Sequence, residues 1–229
     1  MVNGERLTAV GRMASTIIHD IKNPMGTLRM YAQVIKRKTG DTEASQLADE
    51  IIRQVDRFVT MTQEILDFSR GISEIHLEEV VLGEVLESLF AFIEKDLSKK
   101  NIALVRDFGY TGPALLDLDK MSRAFYNLAS NAADAMQDGG TLTVSTSTRD
   151  GDIVIAFSDT GTGIPEEIRP RVFEAFFTSG KRHGTGLGLA IVKKIIDDHK
   201  GSIELDSQVN RGTTFRLILP LPPSSPAVS

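Results

Sequence analysis

The chain has 229 residues, 41% hydrophobic and 25% charged, an ordinary globular composition that excludes disorder throughout. Cysteine and tryptophan are absent, which excludes disulfide scaffolds, thiolate metal sites and cysteine nucleophiles and argues against stacking on many bases. Of the 26 basic and 31 acidic residues, 10 and 9 fall in 1–72, leaving 16 and 22 in 73–229. Neither part has the basic footprint of a nucleic-acid binder. An acidic part that holds an anion must then use backbone N–H groups, a metal ion or a few placed cations. No apolar run reaches the ~18 residues of a membrane span, and Met1–Thr8 lacks the apolar core of a signal peptide.

From Leu7 the apolar period is seven. Leu7, Ala14, Ile21, Leu28 and Ile35 share one heptad position, and Val10, Ile17, Pro24 and Tyr31 the other. This predicts a long helix with a packing seam. Thr39-Gly40-Asp41-Thr42 breaks it, with Gly as the stop and Asp or Thr as the next N-cap. The second helix has two stripes: Ala44, Leu47, Ile51, Phe58, Met61, Ile65 and Phe68, and Ala48, Ile52, Val55, Val59 and Leu66. One hairpin cannot bury both, so a homodimer forming a four-helix bundle is expected.

Gly71-Ile72-Ser73 ends the hairpin. Beyond it the pattern predicts helices over Val81–Lys99, Asp119–Met136 and Leu187–His199. Strands are predicted over Ile102–Phe108, Thr141–Thr148, Asp152–Phe157, Ser202–Asp206 and Thr213–Leu219. Arg149-Asp150-Gly151 is a hairpin turn signal. Strands and helices that do not alternate strictly predict an α+β sandwich, one mixed sheet covered by helices on one face. The expected organisation is 1–72, 73–220 and a disordered tail, 221–229, with three Pro and three Ser.

Four groups of residues suggest chemistry. His19 falls opposite the heptad seam, beside Asp20 and one turn before Asn23, with Pro24 following inside the helix. A surface histidine is the simplest reading of that position alone. The proline breaks a local rule at a cost of about 3 kcal/mol, and a carboxylate beside an imidazole fixes its tautomer and can take its proton. Asn127 and Asn131 share a helix face at i and i+4; their amide oxygens suit Mg²⁺, or a neighbouring loop. Asp159-Thr160-Gly161-Thr162-Gly163 follows a strand, and its glycines permit close backbone approach. Gly184-Thr185-Gly186-Leu187-Gly188 opens a helix, where unpaired N–H groups favour an anion, with Lys181 and Arg182 just before it. Phe173–Gly188 reads as a lid.

The order of these motifs resembles the sensor histidine kinases of two-component systems over nearly the whole chain. Met13–Met25 is similar to the H box, Asn127–Asn131 to the N box, and Asp159–Gly163 to the G1 box. Phe173–Phe177 is similar to the F box, Gly184–Gly188 to the G2 box, and Gly212–Phe215 to the final strand motif. The resemblance implies a dimerisation and histidine-phosphotransfer hairpin followed by a Bergerat-type ATP-binding domain. It implies His19 as phosphoacceptor, Asp20 as its polarising partner and Asn23 as the residue that orients water for dephosphorylation.

The same resemblance implies ATP and Mg²⁺ as ligands. Asn131 and Asn127 would hold the metal and phosphates, and Asp159 the adenine amine, with Thr213 assisting. Gly161 and Gly163 would shape that pocket. Gly184, Thr185, Gly186, Leu187 and Gly188 would bound the phosphate side, with Lys181 at the γ-phosphate. It further implies a homodimer, a response regulator receiver domain, an upstream sensor domain or protein, no nucleic acid, no membrane contact by this region and a cytoplasmic location. An ATPase acting as a conformational switch without histidine phosphorylation is the alternative. Three positions depart from a common family pattern: Asp134 and Ala135 stand where Lys and an aromatic residue often occur, and Ala175 stands where Pro is common.

Overall fold

The computed structural model describes residues 24–69, 75–178 and 186–222. It divides the chain into two compact units, Met1–Ser73 and Glu74–Ser229.

In the first unit a helix over 24–38, α1, is followed by α2, Thr42–Ser69, about 42 Å long at ~1.5 Å per residue. Asp41 caps α2: its side chain accepts the N–H of Glu43 at 2.8 Å and its carbonyl the N–H of Ser45 at 3.0 Å, which leaves fewer first-turn donors orphaned. Arg29 pairs with Asp56 at 2.9 Å and Lys36 with Asp49 at 2.6 Å. Seven residues up α1 therefore match seven residues down α2, an antiparallel register.

The face buried inside this hairpin is the second stripe. Ala32, Ala48 and Val55 are buried, with Ile52 and Val59 half-buried. Small residues at 32 and 48 let the helices approach closely. Leu28, Tyr31 and Ile35 of α1 and Leu47, Ile51 and Phe58 of α2 stay exposed within the single chain. The heptad seam and the first stripe thus form an outward face. The side chains of Met61, Ile65, Leu66 and Phe68, and all of 1–23, lie outside the described residues.

The second unit has the order β1 (Glu78–Val81), α3 (Leu82–Ser98), β2 (Ile102–Phe108), β3 (Pro113–Leu116), α4 (Leu118–Ala135), β4 (Gly140–Arg149), β5 (Asp152–Asp159), a 3₁₀ turn (Glu166–Arg171), α5 (Gly188–Asp198), β6 (Ser202–Gln208) and β7 (Gly212–Pro220). Five strands form a mixed sheet in the order β2-β4-β5-β7-β6, with β2 and β4 parallel and the rest antiparallel. The β4–β5 turn is Asp150-Gly151, both at positive φ, the backbone that Asp-Gly favours in a two-residue hairpin.

Alternation sets the two faces of the sheet. Leu142, Val144 and Thr146 of β4, Ile153, Ile155 and Phe157 of β5 and Phe215, Leu217 and Leu219 of β7 are buried in register. The helices cover this face with Leu86, Phe90 and Ile93 of α3, Met121, Phe125 and Leu128 of α4, and Ile191, Ile195 and Ile196 of α5. Three rings meet at the centre: Phe125 lies 5.5 Å from Phe157 and 6.3 Å from Phe90, and Phe90 lies 5.8 Å from Phe157. Thr143, Ser145, Ser158 and Thr214 alternate onto the other face, which is less buried.

Two strands were not expected. β1 and β3 pair as a separate antiparallel ribbon, Glu78 opposite Leu116 and Val81 opposite Pro113. This ribbon starts α3 without a side-chain cap: the N–H groups of Leu82 and Gly83 donate to the carbonyls of Gly112 and Thr111 at 2.9 and 3.2 Å.

Phe125 is the joint of the ring cluster, so Phe125→Ala should cost the second unit about 3–5 kcal/mol. Urea unfolding should show a lower midpoint with an unchanged slope. A loss below about 1 kcal/mol would mean that the cluster does not hold the sheet to α4.

Candidate functional site

The chemistry-bearing residues of the second unit gather around the C-terminal half of α4 and the end of β5. α4 starts at a capped N-terminus, Asp117 accepting the N–H of Lys120. Its buried stripe, Met121, Phe125, Leu128 and Ala132, turns Asn127 and Asn131 together onto a different face, one turn apart. Asn127 is half-buried, and its Nδ2 donates to the carbonyl of Gly188 at 3.3 Å. With the amide nitrogen so engaged, Oδ1 is the atom available to a cation. A Cβ on Gly188 would lie 3.8 Å from that oxygen.

Asp159 ends β5 on the buried face, opposite Thr213 of β7 and Leu142 of β4. Its Oδ1 accepts the N–H of Gly161 at 2.8 Å and of Thr213 at 3.3 Å. Among the described residues both of its hydrogen bonds fall on this one oxygen, which leaves Oδ2 for an outside donor. Burial pushes the Asp159 carboxyl above its usual range, and the two N–H groups oppose that shift only in part.

The loop after Asp159 is tied down along its length. Thr160 exchanges bonds with Thr141: its N–H donates to the Thr141 carbonyl at 3.2 Å, and its Oγ1 accepts the Thr141 N–H at 3.0 Å. The N–H of Thr162 donates to the carbonyl of Ala135 at 3.1 Å, and the Thr162 carbonyl accepts the N–H of Asn210 at 2.8 Å. The N–H of Ile164 donates to Ser207 Oγ at 2.8 Å. Glycine is required at the contact points. A Cβ on Gly161 would sit 2.7 Å from Ala135, one on Gly163 2.0 Å from the Gln208 carbonyl oxygen, and one on Gly212 1.9 Å from the Asp159 carbonyl oxygen. Ala135, a departure noted in the sequence, is therefore the small residue against which Gly161 packs. A second departure, Asp134, pairs with Lys100 at 3.7 Å.

Gly186 is brought to the aromatic segment before it. The N–H of Phe176 donates to the Gly186 carbonyl at 2.9 Å, and Gly186 has φ +71 with no room for a Cβ beside Phe176. Phe173 packs edge-on against Phe215 at 6.2 Å, and the Arg171 guanidinium stands over Phe177 at 4.5 Å. Leu187 is buried, and its carbonyl accepts the N–H of Ile191, which starts α5. Asn127, Asn131, Asp159, Gly161, Gly163, Gly186, Leu187, Gly188 and Thr213 are thus set on linked elements. His19, Asp20, Asn23, Lys181, Gly184 and Thr185 lie outside the described residues.

Sequence reading missed three polar groups. Ser207 Oγ donates to the Gly212 carbonyl at 3.0 Å and lies 3.0 Å from Thr213 Oγ1, which holds the β6–β7 turn against the loop. Asp117 and His199 form a buried pair across 82 residues. Only the i, i+4 spacing of His199 from the core residue Ile195 hinted that it faces inward.

Among the described residues no three of His, Cys, Asp and Glu come together as a metal site. A cation here would depend on the amide oxygens of Asn127 and Asn131 and on its ligand's own oxygens, a donor set suited to Mg²⁺ beside phosphate.

Known proteins resemble both units of the chain. Residues 9–74 match the His Kinase A (phospho-acceptor) domain, and residues 116–223 match the histidine kinase-, DNA gyrase B- and HSP90-like ATPase family. The sensor histidine kinase ZraS of Escherichia coli (strain K12) is 30% identical over 223 residues, 96% of this chain and 48% of ZraS. The nitrogen regulation protein NtrY of Azorhizobium caulinodans is 33% identical over 96% of this chain and 30% of its own length. The mycobacterial sensor histidine kinase MprB aligns with a TM-score of 0.57 and 31% identity, over 65% of this chain and 99% of that one. Full-length ShkA in complex with AMPPNP shares the fold with a TM-score of 0.76, at 22% identity, over 94% of this chain and 47% of that one.

The chain belongs to the histidine kinases of two-component systems, as a phospho-acceptor region followed by an ATP-binding α/β domain. It spans about half or less of the length of the curated relatives just named.

The tight loop gives a direct comparison. Gly151 and Gly163 are both at positive φ, but a Cβ at 151 meets nothing within 4 Å. Gly151→Ala should cost only the backbone strain, about 1–2 kcal/mol. Gly163→Ala should cost at least about 2 kcal/mol more, since the Gln208 backbone must also move. Equal losses in denaturant unfolding would mean that the loop is not held against the β6–β7 turn.

Proposed function

We propose that the chain is an autophosphorylating kinase core, in which 73–220 binds Mg-ATP and delivers its γ-phosphoryl group to a ring nitrogen of His19 in 1–72, with 221–229 as a tail. The observation that carries the ATP site is the arrangement around Asp159. A half-buried carboxylate keeps one oxygen for an outside donor, on a loop held too close to its neighbours for any side chain at 161 or 163. An exocyclic adenine amine is such a donor, and Thr213 stands beside it on β7. The same wall of α4 carries Asn127 and Asn131 toward the phosphate side, where Gly184, Thr185, Gly186, Leu187 and Gly188 would supply N–H groups and Lys181 a cation. This fits a polyanion in an acidic domain, because N–H groups and a metal ion replace a basic patch.

Nearly all of the chemistry is positioning and charge neutralisation. The Asn127 and Asn131 amide oxygens would hold Mg²⁺, which would supply neutralisation of phosphate charge. Asp20 would hold the His19 imidazole and take its proton as the new P–N bond forms, the bond from γ-phosphorus to the bridging oxygen breaks and ADP leaves. His19 would then pass the phosphoryl group to an aspartate of a response regulator receiver domain, and Asn23 would orient water that hydrolyses the regulator's phosphoaspartate and releases inorganic phosphate. The outward apolar face of the hairpin, Leu28, Tyr31, Ile35, Leu47, Ile51 and Phe58, supports a homodimeric four-helix bundle. Among the described residues no helix is long and apolar enough to cross a membrane. We propose a cytoplasmic location, no nucleic-acid partner and an upstream sensor domain or protein as the source of the signal.

Incubation with γ-labelled ATP and Mg²⁺ tests this reading. Label on the protein should be acid-labile and base-stable, absent in His19→Gln and abolished by excess chelator. ATP hydrolysis without protein label would instead favour an ATPase that switches conformation. Phosphate removal from a labelled receiver domain, without self-labelling, would favour a phosphatase.

A further inference from the structure

A polar tie lies at the far end of α5 from Gly186–Gly188, outside every motif above. His199 follows the last turn of α5 and is 3% exposed. Its Nε2 accepts the backbone N–H of Asp117 at 3.0 Å, and its Nδ1 lies 2.7 Å from the carbonyl oxygen of Ile195. An N–H can only donate and a carbonyl can only accept, so this geometry demands a neutral ring with its proton on Nδ1. The Asp117 carboxylate is fully used as well. Oδ1 accepts the N–H of Lys120 and Oδ2 the N–H of His76, each at 3.1 Å. Burial opposes ionisation of Asp117, but these two N–H groups together with the Lys120 charge hold the carboxyl below its usual range. One chain of hydrogen bonds thus joins the segment leading into β1, the start of α4 and the end of α5.

The tie has a counterpart. α4 and α5 run antiparallel, and Asn127 bonds the Gly188 carbonyl at the other end. From Asp117 to Asn127 is about 15 Å along α4, and from Gly188 to His199 about 16 Å along α5, at ~1.5 Å per residue. Between them α5 buries the apolar side chains of Ile191, Val192 and Ile195, whose contacts are non-directional. Two directional ties at matched spacing set the position of α5 along α4.

We propose that His199, acting with Asp117, is a positioning residue for nucleotide binding: it fixes the axial position of α5, and hence of Gly186–Gly188, and couples that position to the segment entering β1. The proposal rests on the reading of Gly186–Gly188 as the phosphate side of an ATP site. His199 touches no ligand itself; it acts through α5.

The neutral ring makes the tie sensitive to acid. The charged groups that bear on His199 are Asp117 and Lys120 of α4 and Asp198 of α5. Burial holds its pKa below the ordinary histidine value, against the opposing pull of the Ile195 carbonyl and Asp117. A second proton must go to Nε2, where the Asp117 N–H already points. Two donors then face each other and the contact opens. Nucleotide affinity is therefore full when the ring is neutral and falls as the pH drops through the lowered folded-state value.

The test measures the dissociation constant of Mg·ADP by calorimetry on the full chain, from about pH 8 to about pH 5.5, for wild type, His199→Gln and His199→Asn. Glutamine places an amide oxygen near the Nε2 position, can accept the Asp117 N–H and does not titrate. Asparagine reaches only the Ile195 side. At pH 8 the glutamine variant should bind within about twofold of wild type and the asparagine variant roughly tenfold more weakly, the size of one lost buried hydrogen bond. Below pH 6.5 wild type should lose affinity that the glutamine variant keeps. Asp159, His76 and His183 are present in all three proteins, so the difference belongs to His199. Thermal unfolding at pH 8 reports whether each variant is folded. If the asparagine variant unfolds, the pH comparison of wild type with glutamine decides. An unfolded glutamine variant, or identical pH profiles for it and wild type, would overturn the proposal. Wild type that binds no Mg·ADP would overturn the ATP-site reading itself.

Discussion

One carboxylate organises the ATP-binding half of the molecule. Asp159 ends the central strand of the sheet, and through a single oxygen it holds both the start of its own loop and the adjacent strand β7. Withdrawing an anion from water is costly, and two backbone N–H groups offset that cost only in part, so its carboxyl lies above the usual range. The structure tolerates this because the loop beyond is fixed from three sides: by the carbonyl of Ala135 at the end of α4, by Ser207 on β6 and by Asn210 in the β6–β7 turn. A site held so firmly is preorganised, so little ordering remains to oppose ligand binding.

The same loop depends on the hydrophobic core beneath it. Phe157, two residues before Asp159 on the same face, joins Phe90 and Phe125 in the ring cluster. α4 is therefore seated on the sheet by Phe125 and presents Asn127 and Asn131 from an adjoining face. α5 completes the wall, with Asn127 at one end and His199 at the other. The hairpin unit obeys a different constraint. Its inner contacts use small residues, Ala32 and Ala48, while larger side chains such as Tyr31, Leu47 and Phe58 remain outside. An apolar face of that kind calls for a partner surface.

Much of this was legible from residue pattern. The seven-residue period marked the first helix, Asp150-Gly151 marked the β4–β5 turn, and strands and helices that do not alternate strictly marked one mixed sheet covered on one face. The order of the Asn, Asp-x-Gly and Gly-x-Gly motifs pointed to the family, and the geometry links them along α4. What escaped were contacts that depend on distant partners. β1 and β3 have four residues each and exist only because Glu78 meets Leu116. Which of two stripes closes the hairpin depends on how closely Ala32 and Ala48 let the helices pack, which periodicity does not encode. His199 read as the end of a helix because its partner, the Asp117 N–H, is a backbone group 82 residues away. The remaining candidate positions, His19, Asp20, Asn23, Lys181, Gly184 and Thr185, were legible only as sequence.

The central claim is that Asp159 recognises an adenine amine. The most direct measurement is the affinity of the full chain for ATP against inosine triphosphate, in wild type and in Asp159→Asn. Asparagine can still accept the N–H groups of Gly161 and Thr213, so the loop should persist, but it exchanges an acceptor for a donor at the open position. Wild type should prefer ATP by roughly tenfold or more, because the inosine carbonyl would face a carboxylate. The variant should lose or invert that preference. An equal preference for ATP in both proteins would contradict the account.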